Sequence, residues 1–381
     1  MKAMLFKLCA PLLLVAMTLL VVCAEPSPVN DSNGARPLLT LVDANHPVIS
    51  HDGGRVVVVP EIGVTEVYEV QTGRRLQTFR LPESFGNAIS ADGKRVAVFA
   101  RPITGYLPGN HYTSKTEFRL FDADTGKELR RAETDLQRDG VVISSLSVYG
   151  GAGQSMRNIS SDLRLIAVPF LHSDKLPAEK SGVVIGDVET GSIVRRFGEH
   201  EDFFDRWSQI ELTPDARVLA ATRSNVNKHE RRQTFIWDAQ TGRELLRLPF
   251  YCWWLALSDD GRTLLTTSGE TYKTEAWDIA TGKRISEIGA KGDEKHYARV
   301  RGALSPDGKL LATTGTNLLL IWNTTTGRLV AAQPHTNNPD EDTVQRVAFS
   351  GDGRYLLMGS LGEVVKIWLL ADVLKAARVS R

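Results

Sequence analysis

The chain is poor in cysteine, in net charge and in catalytic signatures. Only Cys9, Cys23 and Cys252 occur in 381 residues. If the first 24 residues are removed, Cys252 stands alone, so no intramolecular disulfide can form. A chain of this size buries enough apolar surface to fold without such staples. Cys252, beside Trp253 and Trp254, reads as a small buried apolar residue. Lys and Arg total 46 against 45 Asp and Glu, a formal charge of +1. That balance gives no basic face for phosphate polymers, and nucleic acid is not an expected partner. There is no Gly-x-Ser-x-Gly elbow, no His-Glu-x-x-His, no Cys-x-x-Cys and no Walker loop. None of the eight histidines lies at metal-ligand spacing. The densest group, His200-Glu201-Asp202, reads as a solvated loop. No catalytic residue, metal or cofactor is implied.

The first 24 residues carry an export pattern. Lys2 and Lys7 supply a positive start, Leu12 to Val22 is apolar apart from Thr18, and Val22-Cys23-Ala24 offers a cleavage site. A spanning helix needs roughly 20 apolar residues; Pro11 and the polar run from Glu25 make this stretch shorter. Leu20-Val21-Val22-Cys23 offers a second reading, a lipobox, but Val22 is bulky where that motif wants a small residue. The expectation is a periplasmic or extracellular protein cleaved after Ala24, with no membrane span in the mature chain.

Against these absences stands a repeat. Seven times a Ser/Thr-x-Asp turn opens an apolar run, at Ser50, Ser90, Ser160, Thr213, Ser258, Ser305 and Ser350. Five copies continue with Gly; the third and fourth have Leu163 and Ala216. A second signal, a strand end followed by a Thr-Gly turn, falls between them at Tyr68–Gly73, Phe121–Gly126, Ile185–Gly191, Trp237–Gly242, Trp277–Gly282 and Trp322–Gly327. Interleaved turns at a fixed period mean a repeat architecture. The runs between them, such as Leu310-Leu311-Ala312-Thr313-Thr314, are short and turn-bounded, which argues strands. Tight turns force antiparallel neighbours. Four-stranded antiparallel units in series read as the blades of an all-β propeller.

These motifs resemble the WD40 repeat. Trp237-Asp238 and Trp277-Asp278 match its signature dipeptide, Trp322-Asn323 nearly does, and Ser305-Pro306-Asp307-Gly308 matches its inner turn. The resemblance covers nearly all of residues 37 to 371. The Gly-His dipeptide is absent, although His200, His296 and His335 sit where it would fall. Tyr68 and Phe121 replace Trp, and the third copy reads Gly186-Asp187. The family's hydrogen-bond relay is therefore not expected in most blades.

The ends predict the closure. The chain finishes on a third strand, Val364 to Leu370, and Pro37 to Val42 precedes the first turn. Pairing the two supplies the last blade's missing strand and removes an exposed edge. The expected layout is a signal at 1–24, a linker at 25–36, a seven-bladed propeller at 37–371 and a frayed tail at 372–381.

Extra length falls only in two kinds of connection. Between second and third strands lie Arg101 to Thr116, His172 to Ser181 and Arg223 to Arg232. Between blades lie Glu133 to Arg157, Gly198 to Trp207, Ala290 to His296 and Pro334 to Thr343. In antiparallel blades both kinds emerge on one face, a usual place for binding. The candidate partner-binding residues there are Tyr106, Tyr112, Phe203, Phe204 and Trp207, with the basic pair Arg231 and Arg232. Aromatics suit interfaces because they bury much area at little entropic cost; alternatively, loops folding over the ring make these rings a satellite core. The resemblance implies a monomeric scaffold for a protein or peptide. Its rivals are a quinone-dependent propeller dehydrogenase, which Asp122-Ala123-Asp124-Thr125-Gly126-Lys127 also resembles, and a lactonase-like hydrolase. The first departs in blade number and in where its Trp falls, and the second has no acid/base cluster here.

Overall fold

The computed structural model describes residues 34–82, 84–100, 103–107, 111–114, 116–134, 141–142, 157–172, 180–200, 205–225, 232–289, 302–315, 317–335, 344–360 and 364–379. Seven four-stranded antiparallel sheets follow one another as the blades of a propeller. Blade 1 runs Asn45–Ile49, Arg55–Val59, Val64–Glu69 and Arg75–Arg80. Blade 4 repeats the plan with Asp205–Leu212, Val218–Asn225, Gln233–Asp238 and Glu244–Leu248, and blade 5 with Cys252–Leu257, Thr263–Ser268, Thr274–Asp278 and Arg284–Ile288. Each blade buries both faces against its neighbours, so its middle strands read as nearly continuous apolar runs. Leu264 and Leu265, adjacent on one strand, show it: Leu264 packs in one junction and Leu265 in the next.

The turns explain why the strands begin where they do. Ser50 donates its hydroxyl proton to Asp52 at 2.6 Å, and its Oγ accepts the Arg55 N–H at 3.0 Å. The Asp52 carboxylate also accepts the Gly54 N–H at 2.9 Å. The Ser/Thr-to-Asp bond recurs in all seven copies, at 2.5–2.7 Å. The residue after the Asp takes a positive φ, which glycine adopts freely. Leu163 and Ala216 hold the same conformation, φ 64° and 56°, against the usual steric preference. Leu163 is 2 % exposed, and packing into the blade 2–blade 3 core holds it there.

The ring closes as expected. Leu39–Leu41 pairs antiparallel with the strand Val365–Leu369, with Leu39 opposite Ile367 and Leu41 opposite Val365. The lock extends further back. The Ala35 N–H donates to Gln333 at 2.9 Å, while Gln333 and the Trp368 indole both donate to the Ala35 carbonyl, at 3.0 and 3.1 Å. Ala35, assigned from the sequence to a linker, is thus buried between blades 6 and 7.

Two elements differ from the reading of the sequence. Blade 3 has a divided inner strand: Val141–Val142 pairs with Leu171 and His172, whereas Ile159 bridges Ile166 at the other end. The C-terminal residues are a helix, Leu370–Val379, with Val373 1 % exposed beside Val330 and Ala331 of blade 6. Aliphatic spacing rather than charge decides that segment, whose Val373, Leu374 and Ala376 all reach the blade 6–blade 7 core.

Deleting Pro37 to Asp43 removes the closing strand and leaves Val365–Leu369 as a bare edge. The expected outcome is aggregation or a melting temperature lowered far beyond the shift of a neutral surface change, about 0.5 kcal/mol. Thermal unfolding of the deleted and intact chains checks it.

Candidate functional site

The propeller has two unlike faces. The Asp and Thr-Gly turns lie on one; the connections between blades, and between second and third strands, lie on the other. On the turn face, the residue between Ser/Thr and Asp faces the central channel in every copy: His51, Ala91, Ser161, Pro214, Asp259, Pro306 and Gly351. Backbone bonds tie these turns together around the rim. Asp52 N–H donates to Ala91, Ala91 to Ser161, Ser161 to Pro214, Asp259 to Pro306 and Asp352 to His51, at 2.7–3.0 Å. Among the described residues no such bond follows blades 4 and 6, where Pro214 and Pro306 lack the N–H that Ala91, Ser161 and Asp259 donate.

Inside that rim lies a cavity of about 140 Å3 walled by apolar residues such as Ile49, Ile89, Ile159, Leu212, Leu304 and Phe349. Charge enters it from three blades. Arg157 forms an ion pair with Asp259, and His51 Nδ1 lies 3.8 Å from the other Asp259 oxygen. Gly351 makes room for the imidazole, since a Cβ there would collide with it. Beneath them, Glu211 accepts the Leu257 N–H at 2.7 Å. Burial pushes the Glu211 carboxyl up to about 7, with a smaller push from Asp259; Arg157 and the Leu257 N–H pull the other way. Sequence reading treated this face as plain. The available signal was Asp259, an acid where the other turns carry His, Ala, Ser, Pro or Gly.

The sequence-derived site residues fall differently. Tyr106 and Tyr112 are paired across a hairpin, Ile103–Leu107 with His111–Ser114, that projects from blade 2. Phe203, Phe204 and Arg231 lie outside the described residues. Arg232 is half-buried, and its Nε donates to the Asn225 carbonyl at 3.4 Å. Trp207 sits within a strand rather than a loop and is 7 % exposed. Its ring centre is 5.4 Å from that of Phe235 and 5.8 Å from that of Trp237, and the Arg223 guanidinium stands 5.8 Å from it. It belongs to the core between blades 3 and 4.

Among the described residues, the aromatics that reach solvent on the long-connection face include Trp253. The inner strand of blade 5 has a bulge between Cys252 and Trp254. The bulge turns Trp253 outward, 54 % exposed, while Trp254 is 3 % exposed and Cys252 fully buried. Tyr251 packs edge-on against Trp253 at 5.7 Å, and Tyr272, in the turn between the second and third strands of blade 5, is also 54 % exposed. Burial lifts the Cys252 thiol to about 12, so it stays protonated and unreactive.

Residues 333–368, the last blade and its approach, match the family model described as WD domain, G-beta repeat. A chain in the crystal structure of a mitotic checkpoint complex superposes with a TM-score of 0.54 at 16 % identity, over 97 % of this chain and 99 % of that one. No curated protein sequence matches. This chain is a seven-bladed β-propeller with a WD repeat in its last blade. The propeller keeps part of the family's side-chain bonding without the Gly-His dipeptide: the Trp277 and Trp322 indoles donate to Thr266 and Thr313, both at 2.9 Å.

Glu211 makes the stability of this propeller depend on pH in an uncommon direction. Its folded pKa exceeds its unfolded value of about 4.5. Between the two values the folded state binds more protons, so this contribution is full below about 4.5 and is lost as pH rises through about 7. The shift corresponds to at most about 3 kcal/mol. Chemical denaturation at pH 5 and pH 8 is expected to show a wild-type loss that Glu211→Gln removes.

Proposed function

We propose that this chain is an exported protein-interaction scaffold whose partner docks on the long-connection face, with Trp253 as the central anchor. The observation that carries this reading is the outward bulge of blade 5, which exposes a tryptophan packed edge-on against Tyr251. A large ring held by a sheet loses little entropy on binding, and such residues supply much of the energy of protein interfaces. A second contrast supports the same face. The seven Asp turns satisfy their polar groups internally. Among the described residues, buried polar atoms without hydrogen-bond partners include those of Ser181 and Trp207, near the ends of their strands away from those turns. The hairpin carrying Tyr106 and Tyr112, with the connections containing Phe203, Phe204, Arg231 and Arg232, extends the proposed surface over blades 2 to 4.

Export belongs to the same proposal and is motivated by Lys2, Lys7 and the apolar run Leu12 to Val22. N-terminal sequencing of the mature protein is expected to begin at Glu25; a retained apolar run or a lipidated Cys23 refutes it.

Trp253→Ala should reduce capture of the native partner by tenfold or more, as loss of an anchor of about 2 kcal/mol implies, while leaving the melting temperature nearly unchanged. Trp207→Ala should do the reverse in kind, costing about 3–5 kcal/mol of stability through an unfilled core. Pull-down from the envelope fraction with melting curves of both variants separates the two roles. Undiminished capture by Trp253→Ala removes the proposed anchor.

A further inference from the structure

Arg346 is a buried cation that no carboxylate pairs with among the described residues. It lies on the inner strand of blade 7, Val344–Phe349, opposite Gly359 in register, and is 7 % exposed. Gly359 lets Pro47 of blade 1 pack close; a Cβ there would lie 2.8 Å from the proline ring and 3.9 Å from the Arg346 Cβ. The guanidinium therefore sits in the junction of blades 7 and 1. Its Nη1 has no hydrogen-bond partner, and no carboxylate forms an ion pair with it among the described residues. Burial alone lowers its pKa, to about 10, so it remains charged at neutral pH. The nearby His46, on the long-connection side of the same junction, has its pKa lowered by burial and then by the Arg346 charge. A buried, unpaired guanidinium destabilises a fold by several kcal/mol, and a protein retains one most economically when something else supplies the anion.

We propose that the junction of blades 7 and 1 is an anion subsite, in which Arg346, beside His46, takes a carboxylate from an acidic segment of the partner. A carboxylate is small and planar and can accept two parallel N–H bonds from a guanidinium. The source of the carboxylate rests on the scaffold reading above; the subsite itself does not.

Acetate is the probe, because it needs no partner. Thermal unfolding of wild type and Arg346→Met is followed in low-salt buffer while acetate is added. Methionine fills similar volume without charge, so the variant is expected to melt at or above the wild-type temperature before acetate is added. Acetate should then raise the wild-type melting temperature by a few degrees in a saturable manner and leave Arg346→Met unmoved. A variant that melts well below wild type, with the same acetate response in both, overturns the subsite. Should the variant fail to fold, the Nε–Hε resonances of 15N-arginine wild-type protein decide: one must shift saturably with acetate, and none doing so overturns it. Because Trp253→Ala capture is scored separately, loss of the subsite leaves the aromatic anchor standing, and the converse holds.

Discussion

Everything in this ring hangs on one short hydrogen bond made seven times, from a Ser or Thr hydroxyl to the Asp two residues later. The Ser or Thr oxygen in turn accepts the N–H that starts the second strand, so a single three-residue relay both ends one strand and aims the next. A hydroxyl bonded to a carboxylate is a charge-assisted contact, roughly twice as strong as a neutral one. The carboxylate responds in kind: hydrogen bonding from Ser90 holds Asp92 below the ordinary carboxylate range. With the hairpins set, the turns stand shoulder to shoulder and can bond across the channel rim. The relay tolerates loss of glycine at Leu163 and Ala216 because it fixes the turn from the side chains, leaving packing to offset the strained φ.

The relay also divides the labour of the two faces. A face whose polar atoms are consumed by their own turns has little left to offer a macromolecule, although its channel can still hold charge. The opposite face is built from connections that the repeat does not constrain. There the blade 5 strand can bulge, blade 2 can extend a hairpin, and blade 3 can divide its inner strand without disturbing the ring. Rigid scaffold and free connections are separate parts of one blade, and this is why one fold carries many binding surfaces.

The architecture was almost wholly legible because it is written in turns, and turns are local. Asp, Gly and Thr at fixed offsets reveal their conformation without knowledge of the rest of the chain. Closure was legible for the same reason: six strand-turn-strand signals and one orphan third strand leave one place for Leu39–Leu41. The site was much less legible. Trp207 and Trp253 both stand near the start of an inner strand, and one is core while the other is exposed. The register shift between Cys252 and Trp254 is what turns Trp253 outward, and a bulge has no composition of its own. The C-terminal helix was hidden because Leu370–Val379 owes its place to the surface of blade 6, which is distant in sequence.

Departures from the repeat are the places where chemistry collects. Counting back two residues from each turn Ser or Thr gives Val48, Ala88, Asn158, Glu211, Ala256, Ala303 and Ala348. Six are small or uncharged, and Glu211 is the exception that carries a buried titratable group. Three residues back, Arg157 is the only charged member of its set, and it pairs with the only Asp at the channel-facing turn position. These two departures compensate each other across blades 3 and 5, so neither charge is left bare. Arg346, four residues back in blade 7, has no such partner among the described residues. An ionised side chain buried at a repeat position is destabilising unless a second departure neutralises it. Among the described residues no second departure neutralises Arg346, and that leaves the opening the proposed anion subsite would fill.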